Sequence, residues 1–131
     1  MKLTKVHHVA IIGSDYETTR HFYVDILGFE VLSEVYRKER DDWMLNLQLE
    51  DLEIELFIMK DHPKRPSYPE AYGLRHLAFM VNSVEDTVRE LNEKGIHTEP
   101  VRLDSYTGEK MTFFSDPDGL PLEIRESKLH K

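Results

Sequence analysis

The chain has 131 residues, 25 acidic against 17 basic, a formal net charge of −8 and no cysteine. These values exclude disulfides, thiolate metal sites and cysteine nucleophiles, and they disfavour a polyanionic partner such as nucleic acid. The length suits a single compact domain over residues 1–131, and no apolar run approaches the roughly 18 residues of a membrane span. The start, Met1-Lys2-Leu3-Thr4-Lys5, lacks the apolar stretch and cleavage site of a secretory signal, so a cytoplasmic protein is expected.

Val6 to Ile12 reads as a buried strand, and Ser14 with Glu17 three residues on forms a capping-box signature for a helix. Phe22, Tyr23, Ile26 and Leu27 carry the helix's apolar spacing, and Gly28 supplies the left-handed position that ends it. Three strand-like runs follow: Phe29 to Tyr36, Met44 to Leu49 and, after a Glu50-Asp51 turn, Leu52 to Met59. A connection over about residues 60–73 holds Pro63, Pro66 and Pro69, and its basic cluster of Lys60, His62, Lys64 and Arg65 reads as a solvated loop.

The same order then recurs. Leu74 to Val81 is an apolar strand, Ser83 with Asp86 marks a helix start, and Val84, Val88 and Leu91 form its stripe up to Gly95. Strands are expected at Ile96 to Val101, Lys110 to Phe114 and Leu120 to Glu126, the last after the Asp116-Pro117-Asp118-Gly119 turn. The chain thus reads as an α+β protein made of two βαβββ modules, one over about residues 4–60 and the other over about 74–126.

A duplicated fold places equivalent residues at equivalent points, and two pairs obey one offset. His8 and His76 on the first strands are 68 apart, as are Glu55 and Glu123 on the last strands. Strand alternation sets Glu55 with Glu53 and Phe57, His8 with Ala10 and Ile12, and His76 with Ala78 and Met80, so each polar group stands among apolar ones and wants a partner. Two carboxylates and two neutral imidazoles carry −2, which balances one divalent cation. The expected metal ligands are therefore His8, Glu55, His76 and Glu123. His7 is placed on the face opposite His8, and His21, His62, His97 and His130 are read as ordinary surface or loop residues. Glu53 is a candidate acid behind Glu55, while Trp43 and Tyr72 are read first as packing residues.

Several pieces taken in order, His7-His8-Val9-Ala10-Ile11, Phe22-Tyr23 with Leu27-Gly28-Phe29, Ile54-Glu55-Leu56-Phe57, Arg75-His76-Leu77-Ala78-Phe79 and Phe114-Ser115-Asp116-Pro117-Asp118-Gly119 before Leu122-Glu123-Ile124, give a chain that resembles the vicinal oxygen chelate superfamily in its glyoxalase I-like branch. The resemblance implies paired modules forming a cupped mixed β-sheet, the glyoxalase/bleomycin resistance/dihydroxybiphenyl dioxygenase fold. It further implies a metal with neighbouring open sites for two substrate oxygens, and a homodimer. Glyoxalase I enzymes use His, Glu, His and Glu, matching His8, Glu55, His76 and Glu123. Extradiol dioxygenases and fosfomycin-resistance transferases use two His and one Glu, methylmalonyl-CoA epimerases have glutamine at the second position, and bleomycin-binding relatives lack the set. The glutathione-contacting arginine and asparagine of glyoxalase I are replaced here by Ile12 and Met59, so the expected thiol cofactor is a different one, or none.

The implied activity is that of a metal-dependent lyase or isomerase acting on a small molecule, a hemithioacetal or α-hydroxycarbonyl, through an enediolate. By the same resemblance Glu123 is the leading catalytic base, with Glu55 opposite. Zinc or nickel is favoured, and cobalt, manganese or iron also suits a mixed nitrogen and oxygen site. The alternatives are an Fe(II)-dependent dioxygenase of the same fold and a non-catalytic protein that binds a small ligand.

Overall fold

The structure is a computed structural model and describes residues 1–66 and 70–127. Pro69 and His130 lie outside the described residues. The chain divides into two compact units, Met1–Lys64 and Arg65–Lys131, each built around a four-stranded mixed sheet. No helix among the described residues is long and apolar enough to cross a membrane.

In the first unit, β1 (Val9–Gly13), β2 (Glu30–Arg37), β3 (Asp42–Leu49) and β4 (Leu52–Ile58) stand in the order β1-β4-β3-β2. The first strand runs parallel to β4, with Ala10 opposite Glu55 and Ile12 opposite Phe57, and the remaining pairings are antiparallel. Alternation sorts the faces as strand geometry requires. Leu45, Leu47, Ile54 and Leu56 are fully buried on one side, while Glu53, Glu55 and Phe57 remain partly open on the other. Burial of each such Leu or Ile contributes about 1.5–3 kcal/mol, which makes the register of β3 and β4 hard to shift.

The helix α1 (Tyr16–Arg20) starts one residue later than the Ser14 signature predicts. Asp15 is the N-cap, its carboxylate accepting from the Thr18 N–H at 2.9 Å, because a carboxylate adjoining the first turn satisfies an orphan donor that Ser14 is too far back to reach. After Arg20 the chain widens into a π-helical segment, His21–Ile26, in which the Leu27 N–H bonds to the Phe22 carbonyl at 3.0 Å. Phe22 and Tyr23 are both buried in this segment. Gly28 then takes φ of +86°, as the sequence led one to expect.

The helix is set against β1 by one close approach. A Cβ at Gly13 would lie 2.7 Å from Thr19 Cγ2 and 2.8 Å from its Oγ1, and Thr19 is itself buried. Gly13→Ala is therefore expected to destabilise the protein by about 1–3 kcal/mol through overpacking, read as a lower urea midpoint with an unchanged slope.

The second unit contains β5 (Leu77–Met80), α2 (Val84–Glu93), β6 (Arg102–Leu103), β7 (Lys110–Ser115) and β8 (Pro121–Arg125), with sheet order β5-β8-β7-β6. Again the first strand runs parallel to the last, and Ala78 lies opposite Glu123. Ser83 caps α2 as predicted, its hydroxyl accepting from the Asp86 N–H at 3.1 Å. Glu126 also accepts from the Val84 N–H at 2.8 Å, tying the helix start to the end of β8. The strand expected at Ile96 to Val101 does not form, and β6 is confined to two residues. Pro100 has no N–H to give to a ladder, and the segment instead touches β7 through the Glu99 N–H to the Phe113 carbonyl and the Thr112 hydroxyl to the Glu99 carbonyl.

Candidate metal centre

Each unit brings its own histidine and glutamate together. In the first, His8 sits immediately before β1 and Glu55 projects from β4 on the partly open face, with His8 Nε2 3.4 Å from Glu55 Oε2. In the second, His76 immediately precedes β5 and Glu123 projects from β8, with His76 Nε2 3.3 Å from Glu123 Oε1. The two pairs share the same ring nitrogen and the same place relative to the parallel strand pair.

These separations bear on what the pairs can hold. Donor atoms about 2.1 Å from one cation lie about 3.0 Å apart across a right angle and about 3.4 Å apart across a tetrahedral angle. A charge-assisted hydrogen bond is shorter, about 2.7–2.9 Å. Both pairs thus have the spacing of neighbouring ligands, and their chemistry, neutral imidazole with carboxylate, suits a borderline divalent cation.

Around these pairs the units differ. In the first, His7 Nδ1 lies 2.8 Å from His8 Nδ1 and 3.9 Å from Glu53 Oε2. The expected separation of His7 and His8 onto opposite faces does not hold, because both precede the first residue of β1 and strand alternation has not yet begun. The donors of His7, His8 and Glu53 lie within 4.8 Å of one another, but the contact between the two rings has hydrogen-bond length and His7 is 83% exposed. His7 is better suited to accept the His8 Nδ1–H, fixing the tautomer that leaves Nε2 free to ligate.

In the second unit Glu123 is buried, its side chain 6% exposed, and both its oxygens are engaged. Oε1 faces His76, and Oε2 accepts from Arg125 Nη1 at 3.1 Å. The His76 and Phe113 rings meet edge to face at a centroid distance of 5.1 Å, and Arg102 lies over Phe113 with its charge met by Glu99. Arg125, Phe113 and His7 were not singled out from the sequence. Strand alternation held the signal for Arg125, two residues beyond Glu123 on the same face, where the offset of 68 puts Phe57 in the first unit. Of the aromatic residues considered there, Trp43 packs against Tyr16 and Tyr36 at 4.7 and 5.4 Å, and Tyr72 is fully exposed.

Farther along the second sheet, Met80 pairs with Arg125 and opens onto a cavity of about 440 Å³. Asp104, Thr107 and Glu109 wall it together with Arg125. Backbone N–H groups of Tyr106 and Thr107 donate to Asp104 and hold its carboxyl below the usual carboxylate range. Glu109, Asp104 and Glu123 hold the Arg125 guanidinium firmly protonated.

Comparison with known proteins places the chain in a family. The sequence profile of the Glyoxalase/Bleomycin resistance protein/Dioxygenase superfamily matches residues 5–124. The uncharacterized protein YwkD of Bacillus subtilis is 55% identical over 127 residues, covering 96% of this chain and 99% of that one. The crystal structure of a glyoxalase family protein from Enterococcus faecalis is 57% identical with a TM-score of 0.91, covering 96% of this chain and all of that one. A more distant structure is a glutamate-to-glutamine mutant of the fosfomycin resistance protein FosX from Listeria monocytogenes, in complex with Mn(II) and 1S,2S-dihydroxypropylphosphonic acid, with 19% identity, a TM-score of 0.77 and coverage of 98% and 96%. With its profile match spanning both βαβββ units, the chain belongs to the Glyoxalase/Bleomycin resistance protein/Dioxygenase superfamily.

Proposed function

We propose that the two His–Glu pairs together furnish the ligand set of one divalent metal, and that the protein is a lyase or isomerase of glyoxalase type. Its substrate in this reading is a hemithioacetal or α-hydroxycarbonyl, in which a proton moves between adjacent carbons. The observation that carries the reading is the near-identical ligand-like spacing of the pairs, 3.4 and 3.3 Å, at equivalent points of two repeated units. Members of the superfamily bind divalent metals, as FosX does with Mn(II). When bound, such a cation supplies Lewis-acid stabilisation of the charge that builds on two neighbouring substrate oxygens.

The chain's own residues do the rest. Glu123 is the proposed base that takes the proton and returns it to the next carbon, with Glu55 opposite. Arg125 donates to Oε2 of Glu123 and anchors this buried carboxylate, which leaves Oε1, the oxygen facing His76, as the one that would leave the metal and carry the proton. His7 orients His8, and Phe113 braces His76. Ile12, exposed at 50% on the Glu55 face, and Met59 offer no charge to glutathione where its relatives place polar side chains, which argues for another thiol or none. The homodimer implied by the resemblance belongs to the same reading.

The test is to assay protein loaded with zinc, nickel, cobalt, manganese or iron, with and without oxygen, against hemithioacetals made from one α-ketoaldehyde and several thiols. Thioester formation that stops on chelation and resumes on adding metal is the expected result. Turnover requiring both Fe(II) and oxygen would assign the dioxygenase alternative instead, and tight ligand binding without turnover under any metal would leave a binding protein.

A further inference from the structure

The cavity beside Arg125 lies on the same face of the second sheet as Glu123. Ala78 is paired with Glu123 and Met80 with Arg125, so the step from the glutamate to the cavity is two residues along a strand, about 7 Å. A substrate whose reacting oxygens lie at His76 and Glu123 therefore has its remaining chain led over Ala78 and Met80 into this space, whose volume of about 440 Å³ is that of a small-molecule pocket.

Among the described residues, Arg125 is the one cation of the cavity wall, and it is already matched. Arg125 Nη2 is 2.9 Å from Glu109 Oε1, 3.3 Å from Asp104 Oδ2 and 3.3 Å from the Thr107 hydroxyl, while Nη1 serves Glu123. Two donor nitrogens thus face three carboxylates. Even with Glu123 assigned to the metal, Asp104 and Glu109 outweigh Arg125 by one negative charge. A carboxylate or phosphate entering here would have to displace one of these acids from the guanidinium and would meet the other at close range. An ammonium group meets carboxylates and a hydroxyl over an apolar floor.

We infer that this cavity receives the non-reacting end of the substrate and selects a cationic, amine-bearing tail over an anionic one. The inference rests on the metal reading above and narrows its substrate class. It also gives the unusual crowding of acids on Arg125 a role that holding Glu123 alone does not require.

Three hydroxamates of equal length, which chelate a metal through two neighbouring oxygens, separate the possibilities: 4-aminobutanohydroxamate, pentanohydroxamate and glutarate monohydroxamate. Titrated calorimetrically into zinc-loaded protein, the amine is expected to bind about tenfold or more tightly than the carboxylate, with the uncharged compound between them. Because the whole chain is acidic, the preference must also shrink several-fold in Asp104→Asn and Glu109→Gln, which keep an acceptor oxygen for Arg125 and remove the charge. Fold is checked by circular dichroism and thermal midpoint. Equal binding of the three, tighter binding of the carboxylate, or a preference unchanged in both folded variants would overturn the tail assignment while leaving the metal reading intact. Failure of all three hydroxamates to bind metal-loaded protein would overturn both.

Discussion

Glu123→Gln is expected to fold as the parent does and to lose about 10²–10⁴ in kcat, the range for removing a positioned general base. Glutamine keeps the size of the side chain and an oxygen that can still accept from Arg125, so the contact that anchors residue 123 survives. What disappears is a carboxylate able to take a proton. The measurement is turnover of the best hemithioacetal at saturating metal, with metal content determined on the same sample so that lost metal is not mistaken for lost chemistry. Glu55→Gln is the companion. It removes a carboxylate that has His8 as its neighbour and lacks an equivalent of Arg125, so it is expected to reduce turnover less than Glu123→Gln. A parent-like rate for Glu123→Gln contradicts its role as base.

The second large effect concerns metal retention. His76→Ala deletes an imidazole whose Nε2 stands at ligand distance from Glu123, and the metal affinity is expected to fall by more than about 100-fold. His7→Ala should cost less, about 10–100-fold, the range for losing a partner that only orients a ligand. Competition with a chromophoric chelator orders the variants. If His7→Ala weakens binding as much as His76→Ala, then His7 is itself a ligand and the grouping of His7, His8 and Glu53 is the better site.

Much of the architecture was legible because it rests on short-range rules. The apolar alternation of β3 and β4, the Ser83 cap and the left-handed Gly28 all stand where periodicity and capping put them. The internal repeat mattered more than any single element, since it turned four scattered polar residues into two equivalent pairs. What escaped depended on details that pattern does not carry. The strands begin later than their apolar runs, at Val9 and Leu77 rather than Val6 and Leu74, and that delay is why His7 joins His8 instead of facing away from it. The π-helical segment was hidden because Phe22, Tyr23, Ile26 and Leu27 fit a regular helix equally well. The run from Ile96 to Val101 has strand-like composition, but Pro100 cannot donate to a ladder, and no strand forms there. Arg125 carries no signal in composition alone, because a charge near the end of a strand ordinarily means solvent, and only tertiary contacts with Asp104 and Glu109 make it part of a half-buried polar cluster.

All of the proposed chemistry depends on the two pairs acting as one ligand set. Elemental analysis of metal-saturated, desalted protein, with chain concentration fixed by amino-acid analysis, addresses this, provided wild type, His8→Ala and His76→Ala are compared. One ion per chain in the wild type, lost in both variants, is the expected result. Two ions per chain, with each variant keeping one, would mean that every pair holds its own cation, and no metal above background in the wild type would remove the metal centre altogether.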